Sequence, residues 1–231
     1  MVAAQKQKIA DFLDITTDFL GSGYKSEKTN YQFEDDPVPP SQGGADSLEQ
    51  IAREIRVCRN CSLCEKRLNA APGEGAAQPL VMVIGEGPGE DEDKQGRPFV
   101  GKAGQLLDKM LDAIGLSRST NCYIANVVKC RPPGNRDPFP EETSACAGFL
   151  SRQITLVKPK FILIVGRIAA QAVLQTSEST GKLRAKFLEL ENNGIKIPVV
   201  VTYHPAAVLR NDEYRRPVWE DLKLLKSGID K

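Results

Sequence analysis

The sequence has almost no excess of charge: 31 Lys and Arg residues stand against 30 Asp and Glu. Global charge therefore names no partner, and nucleic-acid binding would need a local basic patch. Long apolar runs are also missing, so nothing reads as a membrane span. The N-terminal stretch Met1-Val-Ala-Ala-Gln-Lys-Gln-Lys lacks a continuous apolar core and soon meets Asp11 and Asp14. That argues against a secretory signal and for a cytoplasmic setting. No internal repeat is visible. Histidine is reduced to one, His204, and a lone histidine is structural more often than catalytic.

What the chain does have is 231 residues, enough for one sizeable α/β domain and a modest extension. Residues 5–20 have helical spacing, with Ile9, Phe12, Leu13 and Phe19 on one face, and read as a docking or oligomerisation helix. Residues 22–46 are rich in Gly, Ser, Pro and acid and read as a flexible linker. The division is thus an N-terminal helix plus linker over 1–46 and a folded domain over 47–231. Ser47 is the expected cap of a helix through Val57.

Beyond it, apolar runs alternate with helical patterns. The strands are Leu80–Ile84, Tyr123–Val128, Phe161–Val165 and Val199–Thr202; the helices cover about 102–114, 141–157, 167–176 and 213–226. Near-continuous apolar strands between helices mean a parallel sheet covered on both faces. The fold class is therefore α/β, a three-layer α/β/α with a central four-stranded parallel sheet. Phe187–Ile197, centred on Asn192-Asn-Gly194, has the composition of a hairpin.

The first strand runs into GEGPGEDEDKQGRPFVGKAG, residues 85–104, a glycine-rich acidic loop. A dinucleotide turn needs a third glycine where Glu90 stands, and Pro88 removes a donor. Glu86, Glu90, Asp91, Glu92 and Asp93 would repel phosphate. The loop ends in Arg97-Pro-Phe-Val100, and an aromatic beside carboxylates suits a pocket for a flat polar ring.

Six cysteines in a cytoplasmic chain read as metal ligands before disulfides. Cys58-x2-Cys61 with remote Cys130 and Cys146 is a common way to assemble four thiolates. Spacing alone leaves zinc and an iron–sulfur cluster both open. Cys122 begins a strand and reads as a buried thiol.

Two further strand ends carry chemistry. Asn126 sits in an apolar strand, where its amide either bonds neighbouring backbone or reads the donor/acceptor edge of a pyrimidine. Lys129, Arg131 and Arg136 make the loop after it basic. The fourth strand ends at His204, on the same sheet edge as Glu86 and Asn126. Val208 and Leu209 then form an apolar tip beside Arg210, of the kind pushed into a base stack, or ordinary helix-start packing.

Taken together, GEGPGEDEDKQGRPFVGKAG, NVVKCRPPGNRDP and YHPAAVLR resemble the family 4 uracil-DNA glycosylases, the bacterial and archaeal iron–sulfur type, over roughly residues 50–226. The resemblance implies a [4Fe–4S] cluster on Cys58, Cys61, Cys130 and Cys146, with Cys64 outside the ligand set. It implies a uracil pocket of Glu86, Gly87, Glu92, Phe99, Asn126 and His204. Phe99 would stack on the flipped base, Asn126 read its edge and Glu92 crowd the 5-position against thymine. His204 would steady charge on the leaving uracil. Val208, Leu209 and Arg210 would contact DNA, single- or double-stranded, and the enzyme would act as a monomer. The wider superfamily has an aspartate where this chain has Gly87, so either Glu86 handles the attacking water or binding energy and sugar-cation stabilisation suffice without a dedicated base. A covalently linking variant of the superfamily needs a histidine in the loop at 130–138, which this chain lacks. The rival class is a non-catalytic iron–sulfur electron-transfer or DNA-sensing protein.

Overall fold

The structure, a computed structural model, describes residues 46–230. The expected helix at 5–20 and the linker after it lie outside the described residues. Ser47 does cap a helix: its hydroxyl accepts from the Gln50 amide at 3.1 Å and opens α1, Leu48–Val57. A side-chain oxygen there satisfies an amide that the first turn leaves without a partner.

The described strands are β1 (Glu74–Gly75), β2 (Val81–Gly85), β3 (Cys122–Asn126), β4 (Phe161–Val165), β5 (Phe187–Asn192) and β6 (Ile195–Thr202). They form one sheet in the order β1-β3-β2-β4-β6-β5. The inner four, β3-β2-β4-β6, run parallel, as their apolar composition requires. β5 and β6 make the expected hairpin, turning at Asn193 (φ 51°) and Gly194 (φ 78°). At the other edge β1 adds antiparallel to β3. Two residues carry no periodicity, so this strand had no signature in the sequence.

Alternation along the inner strands sorts two cores. Met82, Ile84, Ala125, Ile162, Ile164 and Val199 face one side. There they meet α1, α4 (Pro140–Val157) and α5 (Arg167–Leu174). Val81, Val83, Ile124, Leu163 and Val165 face α3 (Lys102–Asp112) and α8 (Arg215–Ile229) on the other. Helices on both faces of a parallel sheet give the three layers. Among the described residues no helix is long and apolar enough to cross a membrane.

The acidic loop departs from expectation. Within it Glu90–Gln95 form a helix, α2, whose first turn holds Glu90, Asp91, Glu92 and Asp93. Carboxylates at a helix N-terminus meet the positive end of its dipole. Without an apolar stripe, hydrophobic periodicity gave no sign of it. Two short helices complete the fold, α6 (Thr180–Leu183) and α7 (Pro205–Arg210).

Candidate functional site

The carboxyl ends of β2, β3 and β6 share one sheet edge, where α/β sheets hold ligands. A cleft of about 520 Å³ opens there. Glu86, Gly87, Glu92, Phe99, Asn126 and His204 all line it, as does Arg210. The sequence had placed these residues on three distant segments.

Asn126 ends β3 and is buried, with no hydrogen-bond partner for either Oδ1 or Nδ2. The alternative of an amide bonded to neighbouring backbone is therefore excluded. A buried amide left unpaired costs about 1–3 kcal/mol. Such a group is a binding determinant waiting for a partner with a matching edge.

Phe99 stands beside it, buried, with its ring centroid 5.6 Å from that of His204 and the planes at 30°. Its backbone is left-handed, φ 54°, a conformation costly for an aromatic residue. Two glycines make room for it. A Cβ on Gly85 would run into the Phe99 ring and Asn126 Oδ1, and one on Gly104 into the Phe99 carbonyl.

His204 caps α7, and its Nδ1 accepts from the Ala206 amide at 3.1 Å. Burial, with Arg210 adding to it, pushes its pKa down to about 4. The ring is thus neutral near pH 7. With Nδ1 accepting, the proton belongs on Nε2, which is left to donate. Glu86 moves the other way: burial first and Asp137 second raise its carboxyl to about 7, against the pull of Arg167.

Glu92 lines the cleft, but its carboxylate is already engaged. Oε1 accepts from the Val100 and Gly101 amides at 2.7 and 2.8 Å, and Oε2 from Gly89 at 3.1 Å.

Two expectations need correction. Val208 is not part of an exposed tip: it is 1% exposed, packed in the core beneath α7. Helical rotation puts it inward, leaving Leu209 half-buried against the same core and Arg210 exposed. Nor does Lys129 contribute to a basic surface. It is buried, and its Nζ donates to the Asn126 carbonyl and to Gln153 Oε1, each at 2.7 Å. Arg136 in the same loop is held by both oxygens of Glu142, at 2.8 and 2.7 Å.

Behind Lys129, Cys58, Cys61, Cys130 and Cys146 line one small cavity, walled by Ile55, Ala145 and Phe149. Cys64, set outside the ligand group on sequence, lines it too. Arg67 closes one side, donating to Cys130 Sγ at 2.9 Å and to the carbonyls of Arg56 and Cys58. No three Cys, His, Asp or Glu side chains among the described residues are grouped closely enough for a single metal ion. Cys122 lies apart in the core, its thiol pushed up to about 12 chiefly by burial. Arg67 and Gln153 gave no sign in the sequence, since their roles depend on partners distant along the chain.

Residues 72–223 match the model of the uracil DNA glycosylase superfamily, and the chain belongs to that superfamily. Its similarity runs strongest toward one branch. The type-4 uracil-DNA glycosylase of Saccharolobus solfataricus is 45% identical over 189 residues, covering 80% of this chain and 87% of that protein. Those of Archaeoglobus fulgidus and Thermotoga maritima are 43% and 42% identical, covering 77% and 80% of this chain and 91% and 95% of theirs. The chain is a member of this type-4 family.

Proposed function

We infer that this protein is a uracil-DNA glycosylase, which takes uracil out of the DNA stack and hydrolyses its N-glycosidic bond. The observation that carries the reading is Asn126: a buried amide without a partner, at the bottom of a cleft that Phe99 and His204 also line. A base within a duplex is out of reach, so it must be extruded into such a pocket. Uracil offers the Asn126 amide an acceptor and a donor on adjacent atoms, whereas cytosine would leave the amide mispaired. Sites built to hydrogen-bond one edge discriminate strongly for this reason.

Bond breaking leaves positive charge on the sugar and negative charge on the departing uracil. The neutral His204, with Nδ1 fixed by the Ala206 amide, presents Nε2–H to the carbonyl oxygen where that charge grows. A preplaced donor of this kind contributes about 3–4 kcal/mol to an oxyanion-like transition state. Water then adds to the sugar carbon and loses a proton, leaving an abasic site. We assign that proton to Glu86, a carboxyl lining the cleft, which can take it only as the carboxylate, so above pH about 7. Phe99 covers the face of the base.

The donor chemistry of the cysteine cavity fits an iron–sulfur cluster held by Cys58, Cys61, Cys130 and Cys146: these thiols and that of Cys64 line one small space, with an arginine donating to one sulfur. Held by these residues, a cluster would tie the end of α1, the turn after β3, and α4 together. The reading extends to a cytoplasmic monomer acting on single- and double-stranded DNA. A non-catalytic iron–sulfur protein would account for the cysteines but not for the orphaned Asn126.

The test is direct. Purified, cluster-loaded protein should release free uracil from a uracil-containing oligonucleotide and leave an alkali-labile abasic site. No release from either single- or double-stranded substrate would end the proposal.

A further inference from the structure

The left-handed residue that carries the Phe99 ring does not hold its conformation unaided. The Pro98 carbonyl accepts from Arg118 Nη1 at 3.1 Å and the Phe99 carbonyl from Nη2 at 2.7 Å. The next two amides, Val100 and Gly101, donate to Glu92 Oε1. Residues 98–101 are thus gripped from two directions by side chains that stand elsewhere in the chain. Arg118, in the turn after α3, gives its planar fork to the carbonyls. Glu92, in α2, takes the amides.

Arg118 is itself fixed. Its Nε donates to Asp108 Oδ1 on α3 at 2.8 Å, and Nη1 also pairs with Glu74 on β1. Glu74 further receives Arg97 through two bonds, at 2.7 and 3.1 Å. Arg118 and Glu74 retain only 16% and 21% of their side-chain exposure, so this central pair is shielded from the screening that weakens surface pairs, while Asp108 and Arg97 stand at the open rim. The two-residue edge strand β1 thereby acquires a purpose: it carries the carboxylate that anchors the grip.

We propose that Arg118 is a positioning residue for base excision, and Glu92 its counterpart, together holding Phe99 in its strained backbone so that the ring covers the extruded pyrimidine. Glu92 then acts on specificity through the ring cover it fixes, with its oxygens turned to backbone amides. Arginine suits the task because its fork reaches two carbonyls and two carboxylates at once, whereas a lysine ammonium is a single point. The inference rests on Phe99 covering the base.

The experiment is a double-mutant cycle, Arg118→Met and Phe99→Ala singly and together, with Arg118→Lys as the conservative member. Single-turnover uracil release from a uracil-containing oligonucleotide is measured for each, with circular dichroism to confirm the fold. Arg118→Met should lower the rate by about 10- to 100-fold, the scale of an ångström's misplacement near reacting groups. Arg118→Lys should fall between it and the wild type. In the Phe99→Ala background, Arg118→Met should cost about twofold or less, because its effect runs through the missing ring. An Arg118→Met rate within about twofold of wild type overturns the proposal, and so does an equal loss in both backgrounds. If Arg118→Met does not fold, Arg118→Lys in the two backgrounds decides by the same criterion. If Phe99→Ala releases uracil like the wild type, the role given to Phe99 fails and the grip with it; the enzyme reading would stand on the wild-type release.

Discussion

β3 ends between two sites that treat their polar groups in opposite ways. At Asn126 the side-chain amide is buried and unpaired, the neighbouring Phe99 is strained, and His204 is held neutral. A few residues on, at the cysteine cavity, partners are supplied. Lys129 is bonded to Asn126 and Gln153, Gln153 to Pro72 and Tyr123, and Arg67 to Cys130 and two carbonyls. The difference separates a surface kept ready for a substrate from a joint that holds the chain. Substitutions at the first should cost activity and leave stability intact; those at the second should cost stability first.

The sharpest test of that division is Asn126→Ala. Uracil release should fall by about 10³-fold or more, on the scale seen when a base-reading hydrogen bond is removed. The melting temperature should not drop, because no intramolecular partner is lost. A variant that melts well below the wild type would mean that Asn126 belongs to the joint.

Next in size is the cysteine comparison. Cys130→Ser should abolish the visible absorbance of a bound iron–sulfur cluster and lower the melting temperature, with activity lost as the fold loosens. Cys64→Ser should keep both. A Cys64→Ser protein without the absorbance would rewrite the ligand set.

The pH profile offers a gentler test. If the Glu86 carboxylate takes the proton from water, single-turnover release should fall about tenfold per pH unit below about 7, where Glu86 is protonated. His204, neutral down to about 4, adds nothing in that window. Glu86→Gln should be slower at pH 8 and flat from 5 to 8; a retained slope would assign the titration elsewhere. The raised carboxyl also makes a stability statement. Ionising Glu86 in its buried setting opposes folding, so its contribution is lost as pH rises through about 7, and Glu86→Gln should be relatively more stable at pH 8.

The smallest effect belongs to the α7 turn. Val208→Ala should lower stability by about 1.5–2 kcal/mol, at roughly 0.8 per buried methyl-sized group, with single-stranded DNA affinity unchanged. Leu209→Ala, which removes a half-buried side chain, should lower the melting point less than full burial would imply and should also weaken DNA binding. Fluorescence anisotropy and thermal melts separate the two.

The helix starting at Ser47, the parallel order of the inner strands and the β5–β6 hairpin were legible because cap chemistry, apolar continuity and Asn-Gly turns act locally. Three cleft motifs were legible because each lies at a strand end. Val208 misled because a short apolar pair after a histidine looks the same whether it turns outward or inward; only α3, packed against α7, decides. The short helix at Glu90–Gln95 has no apolar face to betray it. Arg118 and Glu74 lie far apart in sequence, in polar segments, and their meaning appears only once β1 pairs with β3.

The sheet's own wiring bears on how the protein is made. β2 pairs on one side with β3 and on the other with β4, Val81 meeting both Cys122 and Phe161. Its central strand thus stays half-paired until α4 and β4 have left the ribosome, and contacts so remote in sequence form slowly. Closure of the sheet around β2 therefore falls late in synthesis, and until β4 emerges one edge of β2 stays open to aggregation.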